Sequence, residues 1–421
     1  MATESIVDIL GIGFGPANMS LAATVIEHNQ GRGPESGLTQ LYLERKPNFS
    51  WHSGMLIEGA TMQIPFIKDL ATMRNPASKY TFLSYLHSKG RMHDFINQKT
   101  LYPSRLEFHD YLEWVASALD QVVTYDSEVF NVRPVPGTDY VEVLARSGES
   151  TNVYRARNVV IGAGLVPLVP TGFLVSDRAW HSSDLLHRVG NVNDPKRVAV
   201  IGAGQSAAEV VGYLHERFPQ AEVLSIFGRY GYSASDDTPF ANRMFDPSAV
   251  DVFFGAPQEV SQRLLGYHSN TNYSVVDSDL IDELYRRHYG EKLRGKERLR
   301  ILNMTTVERV DLQEAGALIT VQYLPTGDEE KIDIDLAIYA TGYKSANIGE
   351  ILGDTLLMCN LGANGELLMS RSRRICTEVS VRAGLYVQGG PDDSFGISSG
   401  LLSNVATRSS EILQSILDGD N

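Results

Sequence analysis

Two runs of glycine carry the first chemistry legible in this chain. Gly11-Ile12-Gly13-Phe14-Gly15-Pro16 follows the apolar run Val7-Asp8-Ile9-Leu10, and Gly202-Ala203-Gly204-Gln205-Ser206-Ala207 follows Val198-Ala199-Val200-Ile201. In such a run the first glycine permits a tight strand-to-helix turn and the second lets the backbone approach a pyrophosphate. In the second run the third glycine position is Ala207, an accepted variant of the pattern. The helix that follows offers unpaired N–H groups and the positive end of its dipole to the anion. One such turn is common. Two with the right flanks predict two dinucleotides facing each other, and a redox enzyme that passes electrons between them.

The end of the second strand in each unit separates the two nucleotides. After Gly15 the chain runs through the amphipathic stretch Met19 to Glu27 and a polar loop from Asn29 to Thr39, then returns as Gln40-Leu41-Tyr42-Leu43-Glu44. A terminal acid there accepts hydrogen bonds from an adenosine ribose, and the loop accounts for an interval longer than the usual ~20 residues. FAD is expected on Gly11, Gly13, Gly15, Pro16 and Glu44. The second unit returns as Val223-Leu224-Ser225-Ile226-Phe227-Gly228-Arg229, with an arginine in place of the acid. A guanidinium can fork onto a 2′-phosphate. NADPH is therefore expected on Gly202, Gly204 and Arg229.

These units need elements to hold them, and the chain has the length to build them. Its 421 residues suggest two or three domains, and 43% hydrophobic with 21% charged residues is a globular composition. A net charge of −14 argues against nucleic acid or an anionic membrane as partner. No signal peptide opens the chain and no run of about 18 apolar residues is present, so a cytoplasmic protein without a membrane span is expected. Cys359 and Cys376 lack C-x-x-C spacing and the histidines lack ligand spacing, so neither a redox dithiol nor a metal is expected.

The expected class is α/β, with two Rossmann-like dinucleotide-binding domains. The FAD domain would take 1–190 and 345–421. The NADPH domain, inserted within it, would take 191–235 and 301–344, and a mainly helical substrate region 236–300. Helical character is expected at Tyr80 to Leu86, Phe108 to Ala118, Asp277 to His288 and Leu401 to Leu417. Strands are expected at Val122 to Tyr125, Tyr140 to Leu144, Asn158 to Ile161, Leu336 to Tyr339 and Gly384 to Val387.

Several segments carry a resemblance. GIGFGPANMSLA, Phe49-Ser50-Trp51-His52-Ser53-Gly54-Met55 and Met62-Gln63-Ile64-Pro65-Phe66-Ile67-Lys68-Asp69-Leu70 stand in the first half. Arg74-Asn75-Pro76, GAGQSAAE, Asp236-Asp237-Thr238-Pro239-Phe240-Ala241-Asn242, Thr271-Asn272-Tyr273-Ser274 and Ala340-Thr341-Gly342-Tyr343 follow in that order. Together they resemble the microbial N-hydroxylating flavin monooxygenases of ornithine and lysine, and the ornithine branch more than the lysine branch.

The resemblance implies N-hydroxylation of the side-chain amine of L-ornithine, on the way to a hydroxamate siderophore or related product. NADPH would reduce FAD, reduced flavin would take up O₂ as a C4a-hydroperoxide, and the neutral amine would attack its distal oxygen. By the same resemblance Lys68 binds the substrate carboxylate, and Asn242 and Asn272 hold the head and tail of the amino acid. Gln63 lies beside the isoalloxazine, and Lys68, Gln63 and Asn272 make up the reaction centre. Trp51 and His52 belong to the FAD site. Gln205, Ser206 and Thr341 belong to the pyridine-nucleotide site. A homo-oligomer, dimer or tetramer, is expected.

One segment departs from the ornithine pattern, which commonly reads T-H-G, then small polar residues with an aspartate, before L-L-S. Here Ser394-Phe395-Gly396-Ile397-Ser398-Ser399-Gly400 precedes Leu401-Leu402-Ser403, and Ser398 is the candidate substrate or flavin contact. Lysine, a diamine or a modified amine therefore remain alternatives as substrate. A Baeyer–Villiger or sulfur-oxidising flavin monooxygenase would carry F-x-G-x-x-x-H before the second glycine turn. Ala179-Trp180-His181-Ser182-Ser183 stands near there instead. An NADPH-dependent disulfide reductase or flavin reductase would share the fold, but the paired cysteines of a disulfide reductase are missing.

Overall fold

A computed structural model describes residues 5–33, 36–268, 271, 274–389 and 393–419. The N-terminal apolar run forms β1 (Ile6–Ile12), the first glycine turn leads into α1 (Pro16–Asn29), and the chain returns as β2 (Gln40–Leu43). β1 pairs in parallel with β2 on one side and with Ser150–Ile161 on the other, so it is an interior strand of the sheet, and Ile9 to Ile12 are buried. Ser150–Ile161 is where two kinds of sheet meet. Its first half pairs antiparallel with Val141–Ser147, and Asn158 to Ile161 pair in parallel with Gly384–Val387. That last strand brings the end of the chain back to the first sheet.

The second glycine turn repeats the local pattern, as β3 (Arg197–Ile201), α2 (Gln205–Arg217) and β4 (Glu222–Ile226). Their sheet is parallel throughout, in the order Leu299–Leu302, β4, β3, Leu336–Tyr339, Ala179–His181. The second sheet thus draws one strand from ahead of residue 191, because Trp180 packs with Val198 and Val200 in its core. A three-stranded antiparallel sheet, Thr305–Gln313, Gly316–Tyr323 and Asp328–Ile334, covers the other face through Ile319, Ile332 and Ile334.

The insertion between the parallel strands contains Ala249–Gly255, Gln258–His268 and α3 (Ser278–Leu293). Other expected elements lie close to their positions, as helices Phe82–Ser88 and Arg105–Ala118, and the strand Val123–Thr124. The last helix, α4 (Val405–Asp418), starts later than Leu401 because Leu402–Asn404 form a 3₁₀ turn.

The chain crosses between the units twice, and the two crossings hold each other. Leu165–Pro167 on the way out pairs antiparallel with Tyr343–Ser345 on the way back. Aromatic packing fills the space beneath α1, where Phe82, Phe108 and Tyr111 are buried together. That packing backs the segment that carries Gln63 and Lys68.

Candidate active site

A cleft of about 2370 Å³ runs from the Gly13–Pro16 turn to Gln205 and Ser206 at the start of α2. Its first wall is built by the N-terminal glycines. A Cβ on Gly11 would lie 2.1 Å from the Tyr42 ring, so strand β2 could not approach so closely beside any other residue. Gly13 sits at φ +83°, where an added Cβ would also meet the Gly162 carbonyl oxygen at 2.6 Å. Gly15 differs, for a Cβ there meets nothing within 4 Å. It caps α1 without a side-chain bond, and Pro16 opens the helix. The first helical N–H groups thus face open cleft, an arrangement that fits a pyrophosphate.

Glu44 stands at the end of β2 as expected. Its Oε2 accepts from the Phe14 N–H at 2.8 Å and its Oε1 from the Lys46 N–H at 3.0 Å. Each oxygen keeps a second lone pair, so the carboxylate can still accept from a ribose hydroxyl. Trp51 meets His52 edge-on at 4.5 Å, and both line the cleft. Enclosure by protein, then the charges of Arg105 and Lys46, push the His52 imidazole down to about 4. It is neutral at physiological pH although its ring is open to the cleft.

Behind the second wall lies Gly202, whose Cβ would strike the Ala340 carbonyl oxygen at 2.2 Å. Gly204 caps α2, again without a side-chain bond. Ser206 lines the cleft in the first turn of that helix. Gln205 lines it too, but its amide is already engaged. Nε2 donates to Glu209 at 3.0 Å and to Asp277 at 2.9 Å, and Oε1 accepts from the Asp277 N–H at 2.9 Å. Both amide protons being used, the donors left for a phosphate at this position are backbone N–H groups. Arg229 is exposed beyond the end of β4, with Nη1 on the Ser274 carbonyl at 2.7 Å. Thr341 donates to the Leu168 carbonyl at 2.5 Å. Gly11, Gly202, Gly204, Arg229, Thr341 and Ser398 are not part of the cleft wall.

Between the walls stand Lys68 and Asn242. The Lys68 N–H closes a turn on the Pro65 carbonyl at 2.9 Å, and the next residue locks that turn. Buried Asp69 accepts from the Ala71 and Thr72 N–H groups on one oxygen, and from the Phe82 N–H and the Thr72 hydroxyl on the other. Lys68 itself makes no ion pair among the described residues, so its ammonium is available to an anionic ligand. Asn242 donates Nδ2 to the Asp237 carbonyl at 2.7 Å, which leaves its own oxygen free to accept. Asn272 lies outside the described residues.

The departing segment has a packing explanation. Phe395 is buried against Phe254 at 5.5 Å, with the Arg373 guanidinium 4.1 Å from its ring centre. Ser398 is 2% exposed. The stretch Gly400 to Ser403, rather than Ser398, reaches the cleft.

Sequence reasoning missed a polar network across the cleft floor. Arg105, at the start of the Arg105–Ala118 helix, grips Glu209 of α2 with two bonds of 2.7 and 2.8 Å. Glu209 continues to Gln205, Gln205 to Asp277, and Asp277 to Gln63 at 3.1 Å. Glu209 lies four residues after Gln205 on one helix face, a signal that a helical reading of GAGQSAAE contains. The partners in the other unit have no such signal.

Two uncapped helix N-termini behind glycine turns, on either side of one cleft, define an α/β oxidoreductase built for two dinucleotides. The chain belongs to the L-lysine 6-monooxygenase/L-ornithine 5-monooxygenase family, whose profile matches residues 5–345. It is 36% identical to an L-ornithine N(5)-monooxygenase of Burkholderia cepacia, over 94% of this chain and 91% of that protein. Identity is 38% to the L-ornithine N(5)-oxygenase of Arthrobotrys oligospora, over 98% and 88%. Among solved structures, the Kutzneria sp. 744 ornithine N-hydroxylase with reduced FAD, NADP⁺ and L-ornithine superposes with a TM-score of 0.94. That protein is 43% identical, with 99% of this chain and 100% of the other covered. The ornithine hydroxylase of Pseudomonas aeruginosa gives 0.92 at 33% identity, over 99% and 100%.

Proposed function

We propose that this chain hydroxylates the side-chain nitrogen of L-ornithine, using FAD, NADPH and O₂. The observation that carries the reading is one cleft in which Lys68, with no carboxylate partner among the described residues, stands with Asn242 between two dinucleotide walls. A zwitterionic amino acid fits this pairing, its carboxylate on Lys68 and its polar groups on asparagine. The Gly13–Pro16 turn with Glu44 would hold FAD, flanked by Trp51, His52 and Gln63. The start of α2 with Arg229 would hold NADPH. Likeness to ornithine hydroxylases over nearly the whole chain supports the same substrate.

When bound, the two cofactors supply hydride transfer and oxygen activation. The chain's own groups bind the amine, aim it and keep water away. The amine must first lose its proton, and from a reference value of ~10.4 this costs roughly 3 kcal/mol at about pH 8. Apolar neighbours such as Met62, Ile64 and Leu402 on the cleft wall lower that cost, because desolvation disfavours the ammonium form.

The product, a hydroxylated amine, suits a later acylation to a hydroxamate. No helix among the described residues is long and apolar enough to cross a membrane, and a cytoplasmic setting fits the two unpaired cysteines.

The test is oxygen uptake with hydroxylamine detection, using FAD-loaded protein and NADPH over ornithine, lysine, putrescine and cadaverine. Ornithine should be hydroxylated fastest. Better turnover of putrescine or cadaverine, which lack the carboxylate, would sink the assignment.

A further inference from the structure

Asp277 occupies the N-cap position of α3 but does not cap it. An aspartate in that place ordinarily accepts a bond from the second or third helical N–H, to the benefit of its own helix. Asp277 instead spends both oxygens elsewhere. Oδ1 accepts from Gln63 Nε2 at 3.1 Å, and Gln63 is 214 positions away in the first unit. Oδ2 accepts from Gln205 Nε2 at 2.9 Å, at the first residue of α2. Its backbone N–H donates to Gln205 Oε1 at 2.9 Å, which decides which way round that amide sits. All three residues line the cleft.

We infer that Asp277 is a positioning residue, which holds the amides of Gln63 and Gln205 in one orientation and thereby keeps the two nucleotide-binding walls in register. The inference rests on the function proposed above. Both amides offer an NH₂, and the carboxylate gives each of them an oxygen of its own. Burial, together with the nearby Glu209 carboxylate, raises the Asp277 pKa, while the bonds from Gln63 and Gln205 and the charge of Arg105 favour the ionised form. Without that carboxylate, Gln205 keeps its bonds to Glu209 and the Asp277 N–H but loses one tether, and Gln63 loses its link to the other unit. The first turn of α2 would then present its N–H groups less well to the second nucleotide.

Two substitutions separate this role from helix capping. Asp277→Ser keeps a good N-cap residue and removes both amide contacts, while Asp277→Asn keeps the size and replaces one acceptor by a donor. The first measurement is NADP⁺ binding to the FAD-loaded protein by calorimetry, which needs no turnover. Both variants should weaken it by about tenfold, the size of one or two hydrogen bonds. In a Gln205→Ala background Asp277→Ser should weaken it no further.

The second measurement is the ratio of hydrogen peroxide to hydroxylated amine at matched flavin content. Unproductive turnover sends both NADPH electrons and two protons to O₂ as H₂O₂, so the ratio counts misaligned cycles. It should rise severalfold in Asp277→Ser and rise no further when Gln63→Ala is added. Wild-type NADP⁺ affinity and peroxide ratio in Asp277→Ser would overturn the inference, as would fully additive losses in both double variants. If the wild-type protein hydroxylates no amine, the proposed function fails, and the NADP⁺ titration still decides the role of Asp277.

Discussion

Lys68 faces the cleft with its ammonium unpaired among the described residues, held there by a turn that Asp69 ties from below. A single point charge in this position discriminates by charge rather than by shape. Lys68→Ala should raise the KM for ornithine by at least about tenfold, as loss of a charged hydrogen bond does, while FAD content stays at the wild-type level. Steady-state kinetics with a flavin absorbance measurement check both. Arg229 is a different case, exposed and, among the described residues, with only one of its side-chain nitrogens engaged, on the Ser274 carbonyl. Arg229→Ala should raise the KM for NADPH and leave that for NADH nearly unchanged. Equal losses with both nucleotides would remove the 2′-phosphate from its role.

At the scale of elements, the first glycine turn separates backbone geometry from ligand space. Gly13 has a left-handed φ and a carbonyl 2.6 Å from any added Cβ, whereas a Cβ on Gly15 meets only open cleft. Gly13→Ala should therefore destabilise the FAD-free protein by at least about 1–2 kcal/mol, from the backbone alone. Gly15→Ala should leave FAD-free stability unchanged and weaken FAD binding, because its methyl group enters the space a pyrophosphate would use. Urea unfolding of flavin-free protein, with FAD titration alongside, distinguishes the two. Equal destabilisation by both would mean that the turn has no room reserved at Gly15.

For the whole molecule, the units are joined by more than their two paired crossings. Arg105 belongs to the first unit and Glu209 to the second, and Glu209 is only 7% exposed. The guanidinium compensates a carboxylate whose other partner, the Gln205 amide, is uncharged. Arg105→Ala should cost about 3–5 kcal/mol, the range for breaking a buried pair from one side. Replacing both partners by apolar residues of similar size should cost less than that single change. Chemical unfolding of the three proteins tests the ordering, and a double variant less stable than Arg105→Ala would show that the pair contributes net stability of its own.

The glycine turns, the acid after β2 and the arginine after β4 were legible in the chain because they obey local rules. A strand must turn into a helix within a few residues, and only certain side chains permit the φ values and close contacts involved, as at Gly11 and Gly13. The Lys68 segment and Asn242 were legible through their resemblance to a family, and the structure sets both on one cleft. Other features had no local signature. Phe395 reads as a departure at a binding segment, yet packing against Phe254 and Arg373 turns it inward. Asp277 reads as the start of a helix, and nothing near it in sequence indicates Gln63 or Gln205. Its two bonds span 214 and 72 positions. The longer of the two, to Gln63, needs one unit set against the other, as the paired crossings at Leu165–Pro167 and Tyr343–Ser345 do. Local sterics therefore determined the two glycine turns, and tertiary packing alone decided that one cleft runs between them and which side chains join its walls.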